Sequence, residues 1–443
     1  MEILIYIQLA VVLAAIFIGA KVGGIGLGIF GMLGMSILVF VFGLPPGEAP
    51  IEVMLMIVAV ITAASALQSA GGLDYLVKVA EKILRKNPNR ITFLAPIVCY
   101  VFTFLAGTGH IAYSLLPIIA EIATESKVRP ERPLSISVIA SQQAITASPI
   151  SAATAALLST SLLGGQGIEM SQILMICIPA TLIGVLVGAF VVNFIGVDLE
   201  KDPIYLQRVK DGLITHKPAS EATDDKGNYK PLIAVILFLM GVFSVVLFGS
   251  IPALRPSFIV DGETVTVTMA QIIQIIMMST AGLILVFAKA DVTKAVNGSI
   301  FIAGMQAVIA IFGIAWMGDT FFNGNLAFFK DNIQSVVTAY PFLFAFALFV
   351  MSILLFSQAA TVRTLYPLGL ALGISPLALV AMFPAVNGYF FLPNYPTVVA
   401  AINFDRTGTT RIGKYVINHS FQIPGFVSTI VAISVGYLII SFM

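Results

Sequence analysis

Charge is what this sequence lacks most. Only 10% of its 443 residues are charged, against the roughly 25% of a soluble domain, so the chain is not built to be surrounded by water. Its 23 Lys and Arg against 22 Asp and Glu leave a formal net charge of +1, which excludes the basic surface that nucleic-acid binding requires. Cysteine is scarce as well. Cys99 and Cys177 both lie inside apolar runs, so neither a disulfide framework nor a thiolate metal cluster has its raw material, and both read as small packing residues. A serine nucleophile elbow, an HExxH zinc helix and a phosphate-binding glycine loop are all missing, which argues against an enzyme.

What the chain has is apolar length. Hydrophobic residues make up 58% of it, and mean hydropathy is +1.01. They are gathered into runs of about 20 residues, the length that spans a bilayer. Residues 3–20 follow Glu2 instead of a basic stretch, so the first run reads as a retained helix and not an export signal. Further runs cover 22–43, 53–72, 91–120, 133–168, 171–197, 231–254, 264–288, 295–318, 332–362, 364–404 and 415–443, and several are too long for one straight helix.

Lys and Arg collect on the cytoplasmic side of a membrane. Six groups alternate correctly, beginning with Lys21, the cluster from Lys78 to Arg90, and Lys127 with Arg129 and Arg132. The central loop from Lys201 to Lys230, Lys289 with Lys294, and Arg406 with Arg411 and Lys414 complete them, leaving only Arg255, Lys330 and Arg363 outside. The alternation requires residues 91–122 and 341–373 each to enter and leave from one side, as re-entrant hairpins turning at Gly107-Thr108-Gly109 and Ser357-Gln358-Ala359. After each hairpin comes one crossing broken in the middle, over 133–163 at Thr146-Ala147-Ser148-Pro149-Ile150-Ser151 and over 375–402 at Leu392-Pro393-Asn394-Tyr395-Pro396-Thr397.

An internal repeat supports this partition. GTGHIAYSLLP at 107–117 aligns with SQAATVRTLYP at 357–367, Pro117 opposite Pro367. Amphipathic stretches precede both hairpins, Leu73, Leu76, Val77, Ala80 and Leu84 in one and Leu326, Phe329, Ile333 and Val337 in the other, as expected of helices lying along the membrane surface. The expected fold is therefore an all-α polytopic membrane protein with an inverted-topology repeat: about ten spans, two of them broken, plus two hairpins. Residues 1–197 form the first repeat, 198–230 a cytoplasmic linker and 231–443 the second, with both termini outside. Gly24, Gly28, Gly31 and Gly34 mark a face for close helix packing. Trp316 reads as an interface anchor and Asp319 as solvated.

Inverted repeats with discontinuous helices are the architecture of secondary transporters. Backbone left unpaired in hydrocarbon costs several kcal/mol per group, so such breaks persist where protein, ions or substrate satisfy them. Ser148 as N-cap and Pro149 at the first helical position would start a half-helix whose amides attract an anion. Candidate substrate-binding residues are Gly107, Thr108, Gly109, His110, Thr146, Ser148, Ser151, Ser357, Gln358, Thr361, Asn394 and Thr397. No Asp or Glu occurs at either tip or break, which suits an anion. The same oxygens suit a hard cation, with Gly107, Thr108, Ser148, Ser357 and Asn394 as candidate sodium ligands; no other metal or cofactor is expected. Arg363 has two readings, pairing with a substrate carboxylate or reaching the outer interface.

At these residues the sequence resembles the anaerobic C4-dicarboxylate carriers of the Dcu type along its whole length. The motifs are GGIGLG, SAGGLDYLVKVAEKILRKNP, LAGTGHIAYSLLP, RPERPLS, QQAITASPISAA, the paired SQAAT and LPNYPT, and FDRTGTTRIGKYVINHSFQIPG. The A-type branch fits better, because B-type members place Ser-Asp where this chain has Thr397-Val398, so the sensor-kinase partnership of those carriers is not carried over. The resemblance implies a bacterial inner-membrane carrier of fumarate, succinate, malate and aspartate, working by exchange and by uptake coupled to sodium or protons. It further implies a fold similar to the ion transporter superfamily, a homodimer among membrane lipids, and elevator-type movement of residues 91–163 and 341–402. A symporter of another small carboxylate, or an anion channel, is the alternative.

Overall fold

Apolar runs that cannot offer their backbone to water close their hydrogen bonds along themselves, and this chain is accordingly helical. The computed structural model describes residues 2–214, 229–340, 342–355, 357–393, 395–415 and 418–443. Among them, eight helices are long and apolar enough to cross a membrane: Ile3–Val22, Ile51–Ser69, Pro88–Ala106, Met170–Val192, Lys230–Ser250, Met269–Phe287, Ser299–Gly324 and Gln422–Ile440. Gly26–Val41, Phe342–Leu355 and Pro376–Phe390 are shorter apolar helices. Residues 215–228 of the interval read as a linker, with Lys217, Asp224, Asp225 and Lys226, lie outside the described residues, and the first part of the interval holds a helix, Pro203–Lys210, capped by Asp202.

Both expected hairpin turns coincide with helix interruptions. Ile91–Ala106 ends at Gly107 in the left-handed region (φ 69°), Thr108 caps a short turn, and Ala112–Glu125 follows. Phe342–Leu355 is separated from Gln358–Ala371 by a turn in which Ser357 is the N-cap. Both following helices carry an internal proline, Pro117 and Pro367. The first break separates Glu131–Ala147 from Ala152–Leu157, and the second separates Pro376–Met382 and its 3-10 extension Phe383–Phe390 from Pro396–Phe404.

Two local expectations need correction. Ser148 does not cap the second half-helix: its hydroxyl donates to Phe104 O at 2.7 Å, and Ser151 is the cap, accepting from Thr154 N. Asp319 is buried, not solvated, because the 47–48 turn folds over it and Glu48 N donates to Oδ2 at 2.9 Å. The chain is mostly helical, as expected of an all-α membrane protein, with a two-stranded antiparallel ribbon, Ser257–Val260 with Glu263–Thr266, turning at Asp261-Gly262 where both φ are positive. Trp316 is tied to the same turn as Asp319, donating to Gly47 O at 2.7 Å.

Glycine brings two crossing helices into backbone contact. A Cβ on Gly28 would lie 2.1 Å from Ile309 O, and one on Gly31 2.6 Å from Gly313 C. Gly34 packs on Met317, whereas Gly24 faces open space with Gln306 Nε2 3.8 Å away. The amphipathic helix Gly72–Lys86 buries Leu73, Ala80 and Leu84, and Arg85 ties it to Glu121 and Glu125 at 2.9 and 3.1 Å. Its counterpart Leu326–Ala339 packs Phe329 on Phe322 at 5.2 Å; the side chains of Ile333 and Val337 lie outside the described residues.

Candidate functional site

Two loop clusters outside the long helices hold the interrupted segments in place. Buried Arg129 sits between Glu131 at 2.6 Å and Asp202 at 2.5 Å, at the entry to the first broken helix. Burial pushes the Asp202 carboxyl up, but hydrogen bonds from Tyr205 N and Arg129 outweigh it and hold the group below its ordinary value. In the loop before Gln422–Ile440, Asp405 accepts from Thr410 N at 2.6 Å and Thr409 Oγ1 at 2.8 Å, and Ser420 donates to Glu131 at 2.6 Å. His419 Nδ1 accepts from Phe421 N at 3.2 Å, which leaves Nε2 to donate to Phe391 O, also at 3.2 Å, beside the second break. Burial holds this imidazole below its ordinary value.

Between the two tips and the two breaks lies a cavity of about 410 Å³. Its walls are the first tip (Gly107 to His110 and Tyr113), the first broken helix (Gln142, Ile145, Ala152, Ala153), the second tip (Leu355 to Ala359, excluding 356) and the end of the second break (Tyr395 to Thr397). The remaining wall comes from Ala20 to Leu27 and from Ala303 to Ala310, including Gln306. No Asp, Glu, Lys or Arg is among the described residues that line it.

The tips and breaks are fitted to one another. At Gly107 a side chain would be doubly excluded, by the left-handed backbone and by Ile150 O, 2.9 Å from an added Cβ. Gly109 leaves room for Gln142, whose Nε2 would be 2.6 Å from a Cβ there. Gln358 Nε2 donates to Gln142 Oε1 at 3.1 Å and to Asn387 Oδ1 at 2.9 Å, joining the second tip to both broken helices. Gln142 also hydrogen-bonds the Tyr395 hydroxyl. His110 lines the cavity with its ring stacked against Tyr113, centroids 6.0 Å apart.

The candidate hydroxyls divide by where their protons go. Thr146 donates to Gln143 O at 2.8 Å, Ser148 to Phe104 O at 2.7 Å, Ser151 to Thr154 Oγ1 at 3.1 Å and Thr361 to Ser357 O at 2.8 Å, and none of these four lines the cavity. Thr108 and Ser357 do line it. Their oxygens accept from His110 N at 3.4 Å and Ala360 N at 3.2 Å, while their protons have no acceptor among the described residues. Thr397 lines it too, but its Oγ1 is sealed from the open space and has no partner among the described residues. Asn394 lies outside the described residues. Arg363 does not line the cavity: it is buried, and its Nη1 donates to Ser161 Oγ at 2.6 Å and Ser159 Oγ at 3.3 Å.

Sequence reasoning missed Gln142, Gln143, Asn387, Tyr113, Tyr395 and Gln306. The signal for three of them was present, since an amide inside an apolar helix needs a partner, and Gln142, Gln143 and Asn387 are such amides.

A family model described as anaerobic C4-dicarboxylate membrane transporter matches residues 4–443. The C4-dicarboxylate transporter DcuA of Escherichia coli strain K12 is 47% identical over 442 residues, 99% of this chain and 100% of that one. DcuA of Wolinella succinogenes is 44% identical over 432 residues, 98% of each. The anaerobic C4-dicarboxylate transporter DcuB of Escherichia coli O6:H1 is 39% identical over 438 residues, 98% of this chain and 97% of that one, so the two A-type relatives are more alike to it than this B-type one.

Proposed function

We infer that this chain, which belongs to the anaerobic C4-dicarboxylate membrane transporter family, is a secondary active carrier that takes its dicarboxylate into the cavity between the tips and breaks. The observation that carries the reading is the fate of the hydroxyl protons. Among the candidate hydroxyls, those of Thr108 and Ser357 belong to residues that line the cavity and keep protons with no acceptor among the described residues, left to donate to a carboxylate; Thr397 holds a third such proton just behind the lining. A lining without acidic residues lets a dianion enter without like-charge repulsion.

Fumarate, succinate, malate and aspartate are the proposed substrates, moved by exchange and by uptake coupled to sodium or protons. Gly107, Thr108 and Ser357 offer carbonyl or hydroxyl oxygens at the cavity for a cation, whereas Ser148 does not line it. The two hairpins and broken helices, 91–163 and 341–402, form the moving unit of an inverted repeat, 1–197 against 231–443. Its ten crossings are the long helices other than Pro88–Ala106, together with Gly26–Val41 and the two broken helices. The protein sits in a bacterial inner membrane as a homodimer with both termini in the periplasm.

Reconstitution in proteoliposomes tests the reading. Labelled succinate should enter only when the interior holds fumarate or another dicarboxylate, or when a cation gradient is imposed. Entry that needs neither would identify a channel and overturn the carrier.

A further inference from the structure

The amide network at Gln358 has a direction, and that direction decides which atom meets the substrate. Asn387 Nδ2 donates to Pro384 O at 3.2 Å. A backbone carbonyl can only accept, so the asparagine nitrogen must lie on that side and its Oδ1 on the other. The same nitrogen donates to Gln143 Oε1 at 3.2 Å, and Gln143 Nε2 donates onward to Thr429 Oγ1 at 3.1 Å. Asn387 Oδ1 is thereby left to accept from Gln358, and Gln358 Nε2 spends its two hydrogens on Asn387 and Gln142. Gln358 Oε1 has no partner among the described residues and is not among the sealed polar atoms, so it is the atom that this lining residue turns to the cavity.

A carbonyl oxygen repels the oxygens of a carboxylate and attracts a hydrogen-bond donor. We propose that Gln358 Oε1 reads the C2 substituent of the dicarboxylate. It accepts from the ammonium of an amino-dicarboxylate, less strongly from the hydroxyl of a hydroxy-dicarboxylate, and penalises a substituent of equal size that carries no donor. Asn387 is the positioning residue that keeps the amide turned this way. The proposal rests on the carrier reading above and adds to it a residue that separates one dicarboxylate from another.

The test is inhibition of labelled succinate exchange in proteoliposomes by L-aspartate and by methylsuccinate, whose methyl matches the ammonium in size but not in chemistry. In the unaltered protein aspartate should be the better inhibitor. Gln358→Met should shrink the aspartate-to-methylsuccinate ratio by about tenfold or more, the worth of one hydrogen bond to a charged group; because both inhibitors compete with the same labelled succinate, the ratio cancels any change in how tightly succinate itself is held. Asn387→Ala keeps Gln358 but frees its amide to turn, so the ratio should fall there too; if Gln358→Met does not fold, this variant decides alone. A ratio unchanged in Asn387→Ala and in any folded Gln358→Met overturns the proposal. Absence of succinate exchange in the unaltered protein would instead refute the carrier reading itself.

Discussion

Replacing Thr397 by valine sets stability against function at a single atom. The two side chains have nearly the same shape, so the substitution removes the hydroxyl and little else. In this structure that hydroxyl is sealed behind the cavity wall with no partner among the described residues, a condition that costs roughly 1–3 kcal/mol, so its removal should leave the empty protein at least as stable. If the proton is meant for a substrate carboxylate, the lost hydrogen bond is worth roughly 1.5–3 kcal/mol, and at about 1.4 kcal/mol per decade apparent affinity should fall by about tenfold to a hundredfold. Thr397→Ser keeps the proton and should retain most of the affinity. The assay pairs thermal unfolding of the purified protein in detergent with the half-saturation concentration for succinate exchange. Unchanged half-saturation in Thr397→Val refutes the reasoning, and a clearly lowered melting temperature would show that the hydroxyl serves the fold.

Three further outcomes follow from other parts of the molecule. His419 is held neutral below its ordinary pKa of about 6.5, so the unfolded chain takes up a proton that the folded chain refuses; stability should be complete above that pH and decline as pH falls below it, by at most about 1.4 kcal/mol per unit, and His419→Asn should flatten a melting curve series taken from pH 7.5 to 5.5. Carrying a dianion inward against 100 mV costs about twice 2.3 kcal/mol, so one-for-one succinate–fumarate exchange should be indifferent to a potassium-valinomycin potential while net uptake demands a cation gradient, and exchange that scales with potential would refute this. In a background lacking the two buried cysteines, Glu263→Cys should react with an impermeant thiol reagent from the periplasmic side and Lys210→Cys should not; the reverse pattern overturns the orientation.

Positions where the backbone is interrupted were legible because their causes are local. Gly107 is needed for a left-handed turn, Ser357 is a natural cap, and Pro149, Pro393 and Pro396 interrupt otherwise apolar runs. The two-residue turn Asp261-Gly262 is equally local, and its ribbon could have been read from the same chemistry. Partner choice was not legible. Ser148 and Ser151 are equivalent as sequence, but the second half-helix starts only at Ala152, which puts Ser151 at the cap and leaves Ser148 tied to Phe104 O. Gln142, Gln358 and Asn387 are widely separated lone amides whose meeting is a property of the packed chain, as is the turn that covers Asp319. The partners of Arg363 were illegible for the same reason, since nothing near it in sequence announces Ser159 and Ser161.

The glycine seam between Gly28, Gly31 and Gly313 bears on how the cavity can change shape. Where main chain rests on main chain, no side chain remains that could change rotamer and let the helices slip, so that wall has only one setting. The opposite wall is fastened through the Gln358, Gln142 and Asn387 amides, which can be unmade and remade bond by bond. The cavity thus lies between a wall that cannot slip and one whose contacts can be exchanged singly, so a substrate that displaces one amide contact would act on the second wall alone.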